Sequence, residues 1–314
     1  MDSFLLRLTQ RLTVVGRELE PERAARHRDS ILSFQRADGG FAGREGGSDL
    51  YYTSFAVRGL ALLEALDGSR SRLLAGYLKS AAVKGRYSLI DLVSWFYSVI
   101  TVQLAGGPAA FEGETETLFD EIASALESFR RPDGGYAKTH EGGVGSTYHT
   151  FLAVICYEML GRTPPETAAI TQFLRSRRRD DGGFVEIGPM KRSGTNPTAA
   201  AAVLLKRFEA LDQDLRTGID EYLGKVRGLE GGFQANTQIP FCDLLSTFTG
   251  LLTASELGLD HRIEAAACRA YLDQLELTGG GFRGATWDQE TDPEYTFYGL
   301  GSLALLRVSP EQSG

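Results

Sequence analysis

The sequence has no apolar run approaching the ~18 residues that a membrane-spanning helix requires, so no membrane span is expected. Cysteine is scarce. Cys156, Cys242 and Cys268 are odd in number and widely separated among 314 residues, which excludes a disulfide framework and fits free thiols in a reducing cytosol. Positive charge is in deficit, with 33 Lys and Arg against 41 Asp and Glu and a formal net charge of −8. No basic stripe overrides that balance, so a nucleic-acid surface is excluded. The N-terminal Met1-Asp2-Ser3-Phe4-Leu5-Leu6-Arg7 is amphipathic, yet it lacks the basic start, apolar stretch and cleavage site of a signal peptide. A cytoplasmic location is the expectation.

What the sequence has in abundance is glycine, 37 residues of it, and much of it recurs in one pattern. Asp38-Gly39-Gly40-Phe41 returns as Asp133-Gly134-Gly135-Tyr136, Asp181-Gly182-Gly183-Phe184, Glu230-Gly231-Gly232-Phe233 and Gly279-Gly280-Gly281-Phe282. The aromatic residue advances by 95, 48, 49 and 49 positions. The first step spans two periods, and Gly85-Arg86-Tyr87 midway reads as a worn copy. Six units of about 48 residues therefore fill the chain, a period that marks an array of supersecondary units. Length alone suggests about two domains. The unbroken repeat argues instead for a single domain over residues 1–314.

Each unit has the same grammar. An amphipathic run precedes the glycine motif, over residues 24–36, 117–130, 167–178, 211–227 and 262–275. A far more apolar run follows it, over 51–66, 92–104, 147–160, 197–205, 244–257 and 294–306. A helix apolar nearly all round is a buried one. Two helices per unit, one half-exposed and one buried, predict an all-α fold of two concentric rings, an α/α toroid. An open solenoid would need polar capping repeats, and the first and last units are no more polar than the rest. The double glycine is expected to terminate the outer helix with φ > 0.

The buried helices open on a shared frame. Its first position holds Asp49, Asp91, Ser146, Gly194, Asp243 and Asp292, close to the preference order for a helix N-cap. Capping is the plain role of these carboxylates. If the inner helices run parallel, however, the side chains just after the caps line one mouth of the ring. These include Tyr51, Tyr52, Tyr148, His149, Ser246, Glu294 and Tyr295. A cavity apolar below and polar at its rim is the usual form of a small-molecule site.

The aromatic after a double glycine, the period near 48 and the buried second helix resemble the β subunits of protein prenyltransferases and the related squalene and terpenoid cyclases. The resemblance covers essentially the whole chain and implies a toroid of six helical hairpins (an α6-α6 barrel) whose hydrophobic cavity accepts an isoprenoid. It also implies a helical partner subunit for a prenyltransferase-like chain. In that family zinc is held by an Asp-x-Cys pair in the fifth unit and a histidine in the sixth. Here Asp243 matches, Leu245 stands where the cysteine belongs, and Tyr295 replaces the histidine. Zinc needs about four ligands, so no cofactor is expected. A relocated site would have to use Cys242 and Asp243. The loop 233–240, where the family binds diphosphate through Arg and Lys, carries no positive charge, and Lys84, Arg86, Lys191 and Arg192 are the basic residues near other inner helices.

The cyclases supply a second comparison, since they begin with a protonated aspartate in Asp-x-Asp-Asp-Thr. Asp49-Leu50-Tyr51-Tyr52-Thr53 lies in that frame with tyrosines at both later acids. A phenol near pKa ~10 is a poor acid for an alkene, whereas a buried carboxyl with a raised pKa serves. The candidate catalytic residues are Asp49, Asp243, Asp292 and Tyr295, with Asp91 and Glu294 in the same pool. Tyr51, Tyr52, Trp95, Tyr148, His149, Phe248 and Tyr298 are candidates for contacting substrate, and Phe96 and Phe297 extend the aromatic set. Three readings follow: a metal-free isoprenoid cyclase or transferase, a non-catalytic toroid that binds a lipid or a protein, and a zinc prenyltransferase with a displaced metal.

Overall fold

The computed structural model describes residues 3–84, 88–111 and 114–307. The worn repeat at Gly85-Arg86-Tyr87 lies outside them, as do Arg86 and the side chain of Lys84. Among the described residues the chain is helical without a strand; its β pairings are isolated bridges. Two short helices, α1 (Phe4–Leu12) and α2 (Val14–Glu18), precede six pairs. The outer members are α3 (Pro21–Leu32), α5 (Gly68–Lys84), α7 (Thr115–Ser128), α9 (Thr167–Ser176), α11 (Gln213–Val226) and α13 (Ala265–Leu275). The inner members are α4 (Leu50–Leu62), α6 (Leu89–Leu104), α8 (Thr147–Met159), α10 (Thr195–Arg207), α12 (Leu244–Leu257) and α14 (Pro293–Arg307). Each inner helix packs against the next and α14 returns to α4, so the ring is closed.

The glycine motif does something other than cap the outer helix. The helices stop four to six residues before the motif begins, and the motif closes a tight hairpin beyond them. In the first unit Gly39 N–H donates to Arg36 O, and Arg36 N–H donates to Gly40 O. Gly39 has φ +92°, the left-handed residue that a three-residue hairpin loop calls for. The hairpin also serves the ring. A Cβ on Gly39 would lie 2.5 Å from Leu73 O on α5, the outer helix of the next unit. At the last motif a Cβ on Gly280 would lie 2.2 Å from Arg26 O on α3, so the same contact joins the sixth unit to the first.

The aromatic that follows is fully buried in all five described copies, worth roughly 2 kcal/mol apiece. Its backbone N–H donates to a threonine hydroxyl in the first turn of the inner helix: Thr53, Thr150, Thr198, Thr247 or Thr296, at 2.9 to 3.4 Å. One buried donor is thereby satisfied in each unit. The caps behave as expected at Asp49, Ser146, Asp243 and Asp292, which accept N–H groups from Tyr52, His149, Ser246 and Tyr295. The second unit differs. Its cap is Ser88, with Asp91 three residues inside it as the partner in a capping box.

Neighbouring units are stitched at the rim as well. The first N–H of α6, α8, α10 and α12 donates to a loop carbonyl of the following unit: Lys138, Glu186, Ala235 and Gly284. In α14 the first residue is Pro293, which has no N–H. There Arg44 of the first unit bridges the gap instead, pairing with Asp288 at 2.6 Å and Asp292 at 3.0 Å. At the opposite mouth α1 lies across the ring, touching both α8 and α14. Ser3 Oγ and Leu5 N–H donate to Glu158 at 2.6 and 2.7 Å, placing a carboxylate on the N-terminus of α1, where the helix dipole favours it.

Candidate functional site

Counting from each cap, the positions at +2, +5, +6, +9 and +12 or +13 face the axis, as a 3.6-residue period requires. They enclose a central cavity of about 770 Å³, with α1 as its floor. The rim row holds Tyr51, Ile90, Tyr148, Asn196 and Leu245. Below it the wall divides. Phe55, Phe248, Phe297 and Tyr298 form an aromatic half, with Phe55 and Phe248 each edge-on or tilted to Tyr298 at 5.3 and 5.2 Å. Ala199, Ala200 and Val203 of α10 leave the opposite half open. Leu5 and Leu8 of α1 and Met159 complete an apolar bottom.

Of the substrate-contact candidates, Tyr51, Tyr148, Phe248 and Tyr298 line this cavity, together with Phe297. Tyr52 and His149 do not, and neither does Tyr295, a candidate for the catalytic set. They occupy the +3 row, which turns sideways beneath the loop of its own unit, so a Cβ on Gly43 would strike the Tyr52 ring and one on Gly284 the Tyr295 ring. His149 Nδ1 lies 2.7 Å from Ser146 Oγ. Burial, aided by Lys138, lowers its pKa to about 4, so the ring is neutral near pH 7. Trp95 faces the outer layer and donates from Nε1 to Leu78 O on α5 at 2.9 Å. Phe96 likewise packs outward, against Phe119 of α7.

The aspartates at the rim are occupied structurally. Asp49 is exposed at its cap. Asp243 accepts both the N–H and the hydroxyl of Ser246, and Asp292 holds Arg44. Burial raises the pKa of Asp243 and Asp292 against these opposing bonds. Glu294 is different. Its Oε1 accepts the Tyr51 hydroxyl at 2.6 Å, and it lies at +2 of α14 against Tyr51 and Tyr298 of the cavity wall without itself lining the cavity. Desolvation raises its pKa, outweighing the phenol bond from Tyr51. Glu186, which sequence reasoning passed over, is a second rim carboxyl raised by burial; it contacts Ser146 Oγ and accepts Tyr148 N–H. Lys191 is exposed, and Arg192 borders a smaller recess with Glu186 and Asn236.

The donors for zinc do not assemble. No group of three or more His, Cys, Asp or Glu among the described residues is placed to hold a metal ion. Asp243 is spent on Ser246, and the Cys242 thiol is buried against Gly228 rather than facing the lumen, its pKa pushed up to about 11 by burial. No helix among the described residues is long and apolar enough to cross a membrane.

Solved structures share this architecture at low sequence identity. Protein geranylgeranyltransferase-I of Candida albicans, solved with GGPP, superposes with a TM-score of 0.73 at 14% identity, covering 90% of each chain. The type II terpene cyclase MstE from Scytonema gives 0.61 at 13% identity, covering 93% of this chain and 99% of its own. The same cyclase has been solved with geranylgeranyl dihydroxybenzoate as substrate. No curated protein matches the sequence. The sequence profile of the prenyltransferase alpha-alpha toroid domain matches residues 4–193 and 198–313. With nearly the whole chain matched and six hairpins closed into one ring, the protein belongs to the prenyltransferase α/α toroid family.

Proposed function

We propose that this toroid binds an isoprenoid or similar apolar chain in its central cavity and acts on it without a metal, with Glu294 as the proton donor. One observation carries the reading: a desolvated carboxyl is hydrogen-bonded to Tyr51, a phenol that lines the aromatic cavity. Such a carboxyl keeps its proton to higher pH than a solvated one and so remains available as an acid. The proton from Glu294 would add to an alkene carbon, the π pair forming the new C–H bond. A second alkene pair closes a ring on the resulting cation, and loss of a proton from that cation restores the acid. The rings of Phe55, Phe248, Phe297 and Tyr298 offer their π faces to the positive charge on the way. The solved type II terpene cyclase supports this reading through shared fold.

A second reading, a toroid that binds without chemistry, is favoured by the three rim aspartates being committed to helix caps and to Arg44. Incubation of the metal-free protein with farnesyl and geranylgeranyl substrates, followed by mass spectrometry of extracted products, separates the two. Cyclised product lost in Glu294→Gln, with ligand binding retained, is the result expected. Binding with no product from the wild type would leave the binding toroid standing.

A further inference from the structure

Arg58 is the exception in the lumen. It stands at +9 on α4, where the other units place Tyr97, Ile155, Val203, Leu252 and Gly301. Its guanidinium sits 4.2 Å from the centroid of Phe55, 4.9 Å from Phe297 and 5.0 Å from Tyr97. Its hydrogen bonds run one turn up its own helix, from Nε to Ser54 O at 3.1 Å and from Nη2 to Ser54 Oγ at 3.0 Å. No ion pair within 4 Å joins it to a carboxylate of the described residues. Three other shielded arginines are paired, Arg207 with Glu158, Arg177 with Asp133 and Arg11 with Glu256, whereas Arg131, Arg179 and Arg283 are held in loops outside the lumen by backbone carbonyls alone.

A cation removed from bulk water without a counter-ion is costly. Aromatic faces hold it in place but do not neutralise it. The wall below and opposite is mostly apolar, from Ile155, Leu252, Val203 and Met159, and the two carboxylates among the lining residues, Glu64 and Glu158, are paired with Arg17 and Arg207. Glu294 acts on Arg58 only from beyond ion-pair distance, so a close anionic partner is left for a ligand whose remainder is hydrocarbon.

We propose that Arg58 is an anion subsite inside the barrel, binding the carboxylate or phosphate head of an amphiphile whose apolar tail fills the cavity below the rim. The subsite rests on the reading that the cavity takes an apolar chain, but it needs no chemistry at Glu294. It places the head within the lumen, about one and a half helical turns below the caps of the inner ring, at the level of Ser54.

The test measures binding of farnesol, farnesoic acid and farnesyl monophosphate to the full chain by calorimetry. One anion should bind about 10- to 100-fold more tightly than the alcohol, the size of one charge-assisted hydrogen-bonded contact. Which anion wins distinguishes a carboxylate head from a phosphate head. Arg58→Met should bring all three within about threefold of one another while leaving farnesol affinity unchanged, and Arg58→Lys should keep part of the preference. Thermal unfolding checks that the variants fold; removing an unpaired cation should leave the melting temperature level or higher. Equal affinity of acid and alcohol for the wild type, or an anion preference that survives Arg58→Met, would overturn the assignment while leaving the cavity reading intact. Failure of all three ligands to bind would overturn both.

Discussion

His27 Nε2 lies 3.2 Å from Glu276 Oε1 across the seam where the first outer helix meets the end of the last. The contact is off the line of a good hydrogen bond. On its other side the same ring accepts Gly281 N–H at Nδ1, at 3.0 Å, and Arg23 donates to Glu276 at 2.8 Å. Burial pushes the Glu276 carboxyl up, but His27 and Arg23 pull further the other way and hold it at about 2. A depressed carboxyl stabilises the fold above its unfolded value near 4.5 and loses that contribution as pH falls toward 2. Glu276→Gln should cost roughly 2 kcal/mol at pH 7, allowing for solvent screening of a half-buried pair. Urea unfolding of both proteins at pH 7, 4.5 and 3 should show the gap narrowing as the pH drops. A gap independent of pH would mean that the seam does not depend on this charge.

The glycine hairpins make a second prediction that separates backbone strain from collision. Gly280 has φ +90° and backbone of α3 in the path of a Cβ, whereas Gly46 has φ +85° with nothing within 4 Å. Gly46→Ala should cost about 1 kcal/mol from the left-handed conformation alone. Gly280→Ala should cost about 3 kcal/mol or more, because it also parts the sixth unit from the first. Equal losses in denaturant titrations would show that the close approach at Gly280 is not a tight one.

Glu294 couples the proposed chemistry to stability. Because burial raises its folded pKa, the group stabilises below its unfolded value and that contribution fades as pH rises through the raised one. Glutamine does not titrate. Glu294→Gln should therefore gain stability relative to the wild type as pH rises from 4 to 8. Turnover, which needs the protonated acid, should fall in the wild type over the same direction of pH. A variant that gains nothing with pH would show the carboxyl to be ordinarily solvated.

Glu158 should control the floor. It holds Ser3 and Leu5 of α1 and forms an ion pair with Arg207. Glu158→Ala should cost about 3 kcal/mol, since it strands a shielded arginine. It should also raise amide exchange in α1 and α2 at least tenfold above the rise elsewhere. Exchange that rises evenly around the ring would mean that α1 is held by its apolar face alone.

The toroid was legible because the element that repeats, glycine-glycine-aromatic, is the element that joins one unit to the next. Where the motif is worn, at Gly85-Arg86-Tyr87, the sequence does not mark α5, and the repeat frame falls on Asp91 where the cap is Ser88. That three-residue shift points Trp95 at the lumen in the sequence pattern, whereas at +7 from Ser88 it faces α5. Tyr52, His149 and Tyr295 lie off the cavity wall for a different reason. A cap fixes where a helix begins, but only neighbouring loops decide whether its +2 or +3 row meets the axis. Arg58 was readable in principle as a lone charge on an otherwise apolar face. Its significance depends on no carboxylate among the described residues reaching ion-pair distance, which no single helix reveals.

The contact between Gly280 and Arg26 has a consequence for how such a molecule can change. In an open array a unit can be gained or lost at little cost, since each touches only its neighbours. Here the last unit is also a neighbour of the first. Excising one hairpin would leave an arc whose two raw edges expose apolar inner wall, and adding one would overshoot the seam. Size is therefore quantised, and variation is confined to what the six inner faces carry and to the loops at their rim.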